Sequence, residues 1–244
     1  MHRSGTSAIA GVLGALGLSL PVDLMTGGED NPAHNESWKL SAINDALLGI
    51  LGGSWDDPPQ FEPGWERRPD LIATTETVAS AVAAAFPMPD PAVWKDPRTS
   101  LLFPYWRSVL SRIDGVVLVW RSPLAVVRSL QRRNDMSEEK GFELWRRYNT
   151  SALGAIEGTN SFVIEYDSAV DDPLGTTRSL SRWLSRTMRE IEHRETTVEA
   201  ASRMISAGLR NHERSVRSQD SPCDALTTEL SDLSGRGQGL HLSS

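Results

Sequence analysis

Arg3, Ser4, Gly5, Thr6 and Ser7 form a run of small and hydroxyl-bearing residues behind a fixed positive charge. Directly after it, Ile9, Val12, Leu13 and Leu16 recur at helical spacing. Unpaired backbone N–H groups and the positive end of the dipole gather at a helix start, so the segment reads as an anion-holding loop. A second anion-suited pair stands at Arg121 and Ser129, eight residues apart. With a strand ending near Arg121 and a helix starting at Pro123, a guanidinium fork and a hydroxyl reach one point above the sheet edge, as a phosphate dianion requires. The plainer alternative is that Arg121 pairs with a carboxylate and Ser129 packs on its helix. Two such loops at the ends of parallel strands suit the two ends of a doubly phosphorylated ligand. The nucleotide phosphate loop G-x-x-x-x-G-K-[ST] is absent, and no following Lys reaches toward terminal phosphates, which counts against a kinase.

Further along, Glu36 follows a polar loop and is the best-placed carboxylate to take a proton from an acceptor hydroxyl. The competing reading places it in the first turn of the next helix, favoured there by the dipole alone. Lys95, Asp96 and Arg98 flank Pro97 in a charged cluster at a strand end, suited to an acceptor, to a donor's phosphates, or to a surface salt bridge. His2 and His212 are acid–base types, although a lone exposed histidine is usually neither ligand nor catalyst. Trp55 and Trp65 lie in the proline-rich loop 54–70, where they would stack on a sugar face or be buried beneath the loop.

These residues need elements to position them. Behind the first loop the spacing predicts a helix packed under a sheet. Residues 23–35 read as a loop and Ser37–Leu51 as a helix ended by Gly52-Gly53. Asp70–Phe86 reads as a helix, Ala92–Lys95 as a short extended piece and Leu101–Arg112 as a helix. Gly115–Trp120 is the most strand-like run in the chain, apolar and β-branched as in a buried parallel strand. A helix from Pro123 to Asn134 and another from Ser137 to Glu157 precede a second strand-like run, Ser161–Tyr166. The alternation argues for an α/β domain with a mostly parallel sheet and ligands at the carboxyl ends of its strands. Arg178–Glu213 reads as helical, and 215–244 as a largely disordered tail.

The chain has 244 residues, of which 39% are hydrophobic, and a net charge of −7. That composition excludes wholesale disorder and gives no general electrostatic pull toward nucleic acid or an anionic membrane, so any anion site is built locally. A single cysteine, Cys223, excludes an internal disulfide and fits a reducing cytoplasm. Residues 1–20 also have the outline of a secretory signal peptide. The apolar run is too short to span a bilayer, and no small-x-small cleavage site follows it, so no stable membrane insertion is expected.

Together these segments resemble the sulfotransferases that use 3′-phosphoadenosine 5′-phosphosulfate (PAPS). His2–Ser7 is similar to their 5′-phosphosulfate loop, and Arg121-Ser122-Pro123 with Ser129 to their 3′-phosphate motif. Asn31-Pro32 with Glu36 and Asn44-Asp45, then Lys95–Arg98, then Leu209–His212 resemble three features of the bacterial branch, in order, over about residues 1–214. The resemblance implies a three-layer P-loop-like fold with a mostly parallel central sheet flanked by helices. It implies a PAPS donor, no required metal, and a glycan or small-metabolite acceptor. Arg3, where many relatives carry Lys, would neutralise charge on the bridging oxygen, and Ser4 to Ser7 would hold the 5′-phosphate. Arg121 and Ser129 would hold the 3′-phosphate, Glu36 would act as base, and Lys95, Asp96 and Arg98 would contact acceptor or donor. Relatives place a hydrophobic strand just before the phosphate loop, so the expectation is that this first strand is missing here and that the protein begins upstream of Met1. An inactive truncated paralogue acting as a binding protein and a small-molecule kinase are the alternatives.

Overall fold

Val116–Trp120 (β3) is apolar along its length and pairs in parallel with Ser161–Glu165 (β4), in register from Val116 opposite Ser161 to Trp120 opposite Glu165. The computed structural model describes residues 1–28, 31–88, 91–188, 194–207, 223–235 and 237–238. It is a mixed α/β structure, mostly helical, and divides into two compact units. One unit comprises residues 1–17 and 114–244, the other residues 18–113.

In the first unit, Thr6–Ala15 (α1) follows the small-residue loop and buries Ile9, Ala10, Val12 and Leu13. Its glycines lower helix propensity, and burial of this apolar face offsets that cost. The β3–β4 connection is two helices, Pro123–Asn134 (α6) and Glu138–Ile156 (α7), which pack on each other. Each begins at a serine whose hydroxyl accepts from the N–H three residues on, Ser122 from Ala125 and Ser137 from Lys140. Pro123 sits in the first turn of α6, where its fixed φ and missing N–H cost nothing. On α7, Leu144, Trp145, Tyr148, Ala152 and Ile156 are buried at helical spacing. The Trp145 indole N–H donates to the Arg121 carbonyl at 2.9 Å, which fixes the end of β3.

After β4 come Tyr166–Asp171 (α8), Pro173–Thr187 (α9) and Glu195–Ala207 (α10), the last packing against α1 and α9. The expected tail contains a helix, Asp224–Leu233 (α11), and a two-residue strand, Gly237–Gln238 (β5), antiparallel to β4. Leu230 is fully buried, and Trp120 Nε1 donates to Ser234 Oγ at 2.9 Å. Few aromatic or β-branched residues mark this segment, so composition conceals it. Among the described residues this sheet is small: one parallel pair with a short antiparallel edge.

In the second unit, residues 23–35, expected as a loop, contribute to an antiparallel pair, Leu24–Gly28 (β1) with Asn31–Ser37 (β2). The strands are poor in β-branched residues. Their ends are tied instead by Asp23, whose carboxylate accepts from Ser37 Oγ at 2.8 Å and whose carbonyl accepts from Trp38 N–H at 3.1 Å. The helix expected from Ser37 runs from Trp38 to Ile50 (α2), with Ser37 as its cap and Gly52 in the left-handed region after it. The helix expected over 70–86 is two, Pro69–Ile72 (α3) and Thr75–Ala85 (α4). At the break, the Leu71 carbonyl accepts from both the Thr74 N–H and the Thr74 hydroxyl, three residues on, a tighter turn than the continuous helix makes. The extended piece over 92–95 reduces to one bridge, Ala92 with Ser19, before Thr99–Val109 (α5).

Candidate functional site

The first unit brings the two anion-suited segments together. Arg3 has φ 64° and Gly5 φ 83°, both left-handed, which turns the chain sharply into α1. Arg3 bends its side chain to Ser129, donating from Nε to Ser129 Oγ at 2.8 Å across 126 residues of sequence. Gly5 is the residue before the first helical turn and provides no side-chain cap. A Cβ there would strike the ring of Tyr166, so glycine is required both by φ and by space. Ser4 is completely buried, and its Oγ has no hydrogen-bond partner among the described residues. Thr6 and Ser7, both half-buried, form the first turn of α1. His2 packs edge-on against Tyr148 at 5.8 Å, a place in the core wall rather than on an open surface.

Arg121 and Ser129 are both buried, as a local site requires, but the structure gives each its own partner. Ser129 accepts from Arg3, whereas Arg121 Nε donates to Asp167 Oδ1 at 3.1 Å. The carboxylate alternative for Arg121 is therefore the observed arrangement. Asp167 and Tyr166 are the residues that sequence reasoning missed. Tyr166 ends the strand-like run and its ring backs Gly5. Burial pushes its phenol pKa up, against the pull of the Arg121 cation. A carboxylate placed right after a strand-end aromatic, beside a strand that ends in Arg, was the available signal.

Glu36, Lys95, Asp96 and Arg98 lie in the second unit and form one connected charge network. Glu36 and Lys95 are an ion pair, each about nine-tenths buried by side chain. Burial is the main influence on both, raising the Glu36 pKa and lowering that of Lys95, while each partner's charge opposes the shift. Asp96 is buried and accepts from Ser41 Oγ at 2.9 Å, from Arg98 Nη1 at 2.8 Å and from the Arg98 N–H at 2.8 Å. Arg98 Nε lies 2.7 Å from Asp45 Oδ1, and burial raises the Asp45 pKa against that cation. Next to it, Asn44 accepts from the Trp106 indole at 2.9 Å. The surface-salt-bridge reading of Lys95–Arg98 thus gives way to an internal network, and Glu36 is a member of it rather than a bystander in the first turn of α2.

Trp65 is buried and packs on Phe61 at 4.9 Å, so it is loop core and not an open stacking face. The side chains of Asn31 and Pro32, and all of Leu209–His212, lie outside the described residues. No helix among the described residues is long and apolar enough to cross a membrane. The chain matches no family model, no curated protein and no solved structure.

Proposed function

We propose that the chain is a PAPS-dependent sulfotransferase of three-layer P-loop-like fold, acting on a hydroxyl of a glycan or small metabolite. The observation that carries the reading is the Arg3–Ser129 hydrogen bond. It joins two segments far apart in sequence that were each suited, by residue type alone, to one end of a doubly phosphorylated ligand. The residues fit such a ligand in a second respect. Ser4 Oγ is a buried hydroxyl with no partner among the described residues, a group whose desolvation a phosphate oxygen would offset.

The donor supplies an activated sulfuryl group and leaves as adenosine 3′,5′-bisphosphate. Arg3 provides fixed positive charge at the loop, while Ser4, Gly5, Thr6 and Ser7 present small side chains and hydroxyls at the start of α1. Arg121 and Ser129 recognise the 3′-phosphate, Arg121 through its planar fork. Glu36 accepts the acceptor's proton at its carboxylate, and its raised pKa brings it closer to the neutral range in which a general base is most effective. Lys95 keeps that carboxylate oriented, and Asp96 and Arg98 brace the backbone that carries Lys95.

A different reading is favoured by one observation. Arg121 already holds the carboxylate of Asp167, as it would in a paralogue that keeps the fold and acts only as a binding protein. Radiolabelled donor separates these readings. Transfer of label to an acceptor in a panel of sugars and small alcohols, undiminished by a chelator, is expected of the enzyme. No transfer from PAPS, or transfer from ATP that depends on Mg²⁺, would replace it with the binding-protein or the kinase reading.

A further inference from the structure

Arg121 is more than nine-tenths buried, and its Nε faces the carboxylate of Asp167, whose side chain is 32% exposed. The other carboxylate oxygen, Oδ2, accepts from the N–H of Ser122 at 3.4 Å. Ser122 is the cap of α6, a helix of 12 residues. One carboxylate therefore bridges a guanidinium and the backbone at a helix start, two groups that together recognise anions. Asp167 directly follows Tyr166, the residue that backs Gly5 of the small-residue loop, so this occupied position belongs to the same unit as Arg3 and Ser129.

We propose that Asp167 is an affinity- and specificity-setting residue, an internal stand-in for the anion that Arg121 recognises. Its carboxylate keeps the buried guanidinium paired when no ligand is present. A phosphate that reaches Arg121 must then displace the carboxylate or bind beside a like charge. A buried cation left alone is costly, so the pairing stabilises the empty protein, and the same pairing lowers affinity for the competing anion. The partial exposure of Asp167, in a helix of only six residues, leaves the carboxylate able to exchange with solvent when an external anion arrives. The proposal rests on the reading of Arg121 as a phosphate-binding residue.

Calorimetric titration of adenosine 3′,5′-bisphosphate into wild-type protein and into Asp167→Asn tests it. The neutral amide is expected to tighten binding by about tenfold at low salt, with the gain shrinking as salt rises. Adenosine 5′-monophosphate, which lacks the 3′-phosphate, is expected to gain no more than about threefold, because it places no charge at Arg121. The gain should vanish in Arg121→Ala/Asp167→Asn, which marks it as a contest for that arginine rather than a change in overall charge. Asp167→Ser, which keeps an acceptor for the Ser122 N–H, is expected to behave in the same way and serves if the amide variant fails to fold. Wild-type binding that is unchanged or weakened by both substitutions would overturn the inference and leave the sulfotransferase reading intact. Failure of the bisphosphate to bind any of these proteins would overturn both.

Discussion

Gly5, Glu36 and Lys95 show how single residues are held by what surrounds them. Gly5 combines a φ of 83° with the Tyr166 ring at the position of its missing Cβ. Gly5→Ala is therefore expected to cost at least about 2 kcal/mol in urea unfolding, more than the ordinary left-handed penalty. Shrinking the ring in Gly5→Ala/Tyr166→Ala should return part of that loss, so that the two changes are not additive. The Glu36–Lys95 pair follows a different rule. Burial works against both charges, and each survives because of the other. Removing the cation in Lys95→Met should cost about 3–5 kcal/mol, because a carboxylate is left buried without a partner. Adding Glu36→Gln to that variant should recover much of the loss in the same unfolding assay. On activity, Glu36→Gln alone is expected to lower kcat by about 100-fold or more with a smaller change in KM, as loss of a general base does.

At the scale of elements, the positions of β3, α6, α7 and β4 were legible in the sequence, because an unbroken apolar run and two capped amphipathic helices state their periods without ambiguity. The Arg121–Ser129 spacing followed from them. The β1–β2 pair was not legible, since its strands hold Gly, Asn, Pro and Ser rather than β-branched residues and are held by contacts from Asp23 to residues 14 and 15 positions away. The break between α3 and α4 falls at Ala73-Thr74, where no glycine or proline marks it, and α11 was hidden in a serine-rich composition. The Arg3–Ser129 contact was approached through residue type alone. The partners of Arg121 and Lys95 required the fold, because no local pattern specifies an ion pair between residues 46 or 59 positions apart. Two measurements address the elements directly. Ser37→Ala removes both the acceptor for the Leu40 N–H and the donor to Asp23, and is expected to cost about 1–2 kcal/mol in chemical unfolding. Leu230→Ala is expected to cost about 2–5 kcal/mol, whereas a residue in a loose tail would cost almost nothing.

For the molecule as a whole, 25 Lys and Arg residues against 32 Asp and Glu give a net charge of −7, and the second unit holds a concentration of paired charge at Glu36, Asp45, Lys95, Asp96 and Arg98. The pH dependence of stability follows from that concentration. Burial raises the pKa values of Glu36 and Asp45 above their ordinary 4.5 and 3.8, so the folded chain holds those protons more tightly than the unfolded chain. Their contribution is present below the unfolded values and is lost as pH rises through the folded ones, so stability should fall as pH rises above the ordinary 3.8 and 4.5 of the two carboxyls. Lys95, whose pKa is lowered from 10.5, acts in the opposite sense, and its contribution grows as pH climbs toward that value. Thermal melts across the acidic range should show the first trend, and Glu36→Gln should flatten it. The most direct test of the central claim, that the small-residue loop and the Arg121 segment form one site for a doubly phosphorylated adenosine, is calorimetric binding of adenosine 3′,5′-bisphosphate with and without Mg²⁺. The expected result is binding that is independent of Mg²⁺ and is weakened about tenfold or more by Ser129→Ala and by Arg121→Ala. Absence of binding by the wild-type chain, or a preference for Mg²⁺-ATP that neither substitution alters, would contradict it.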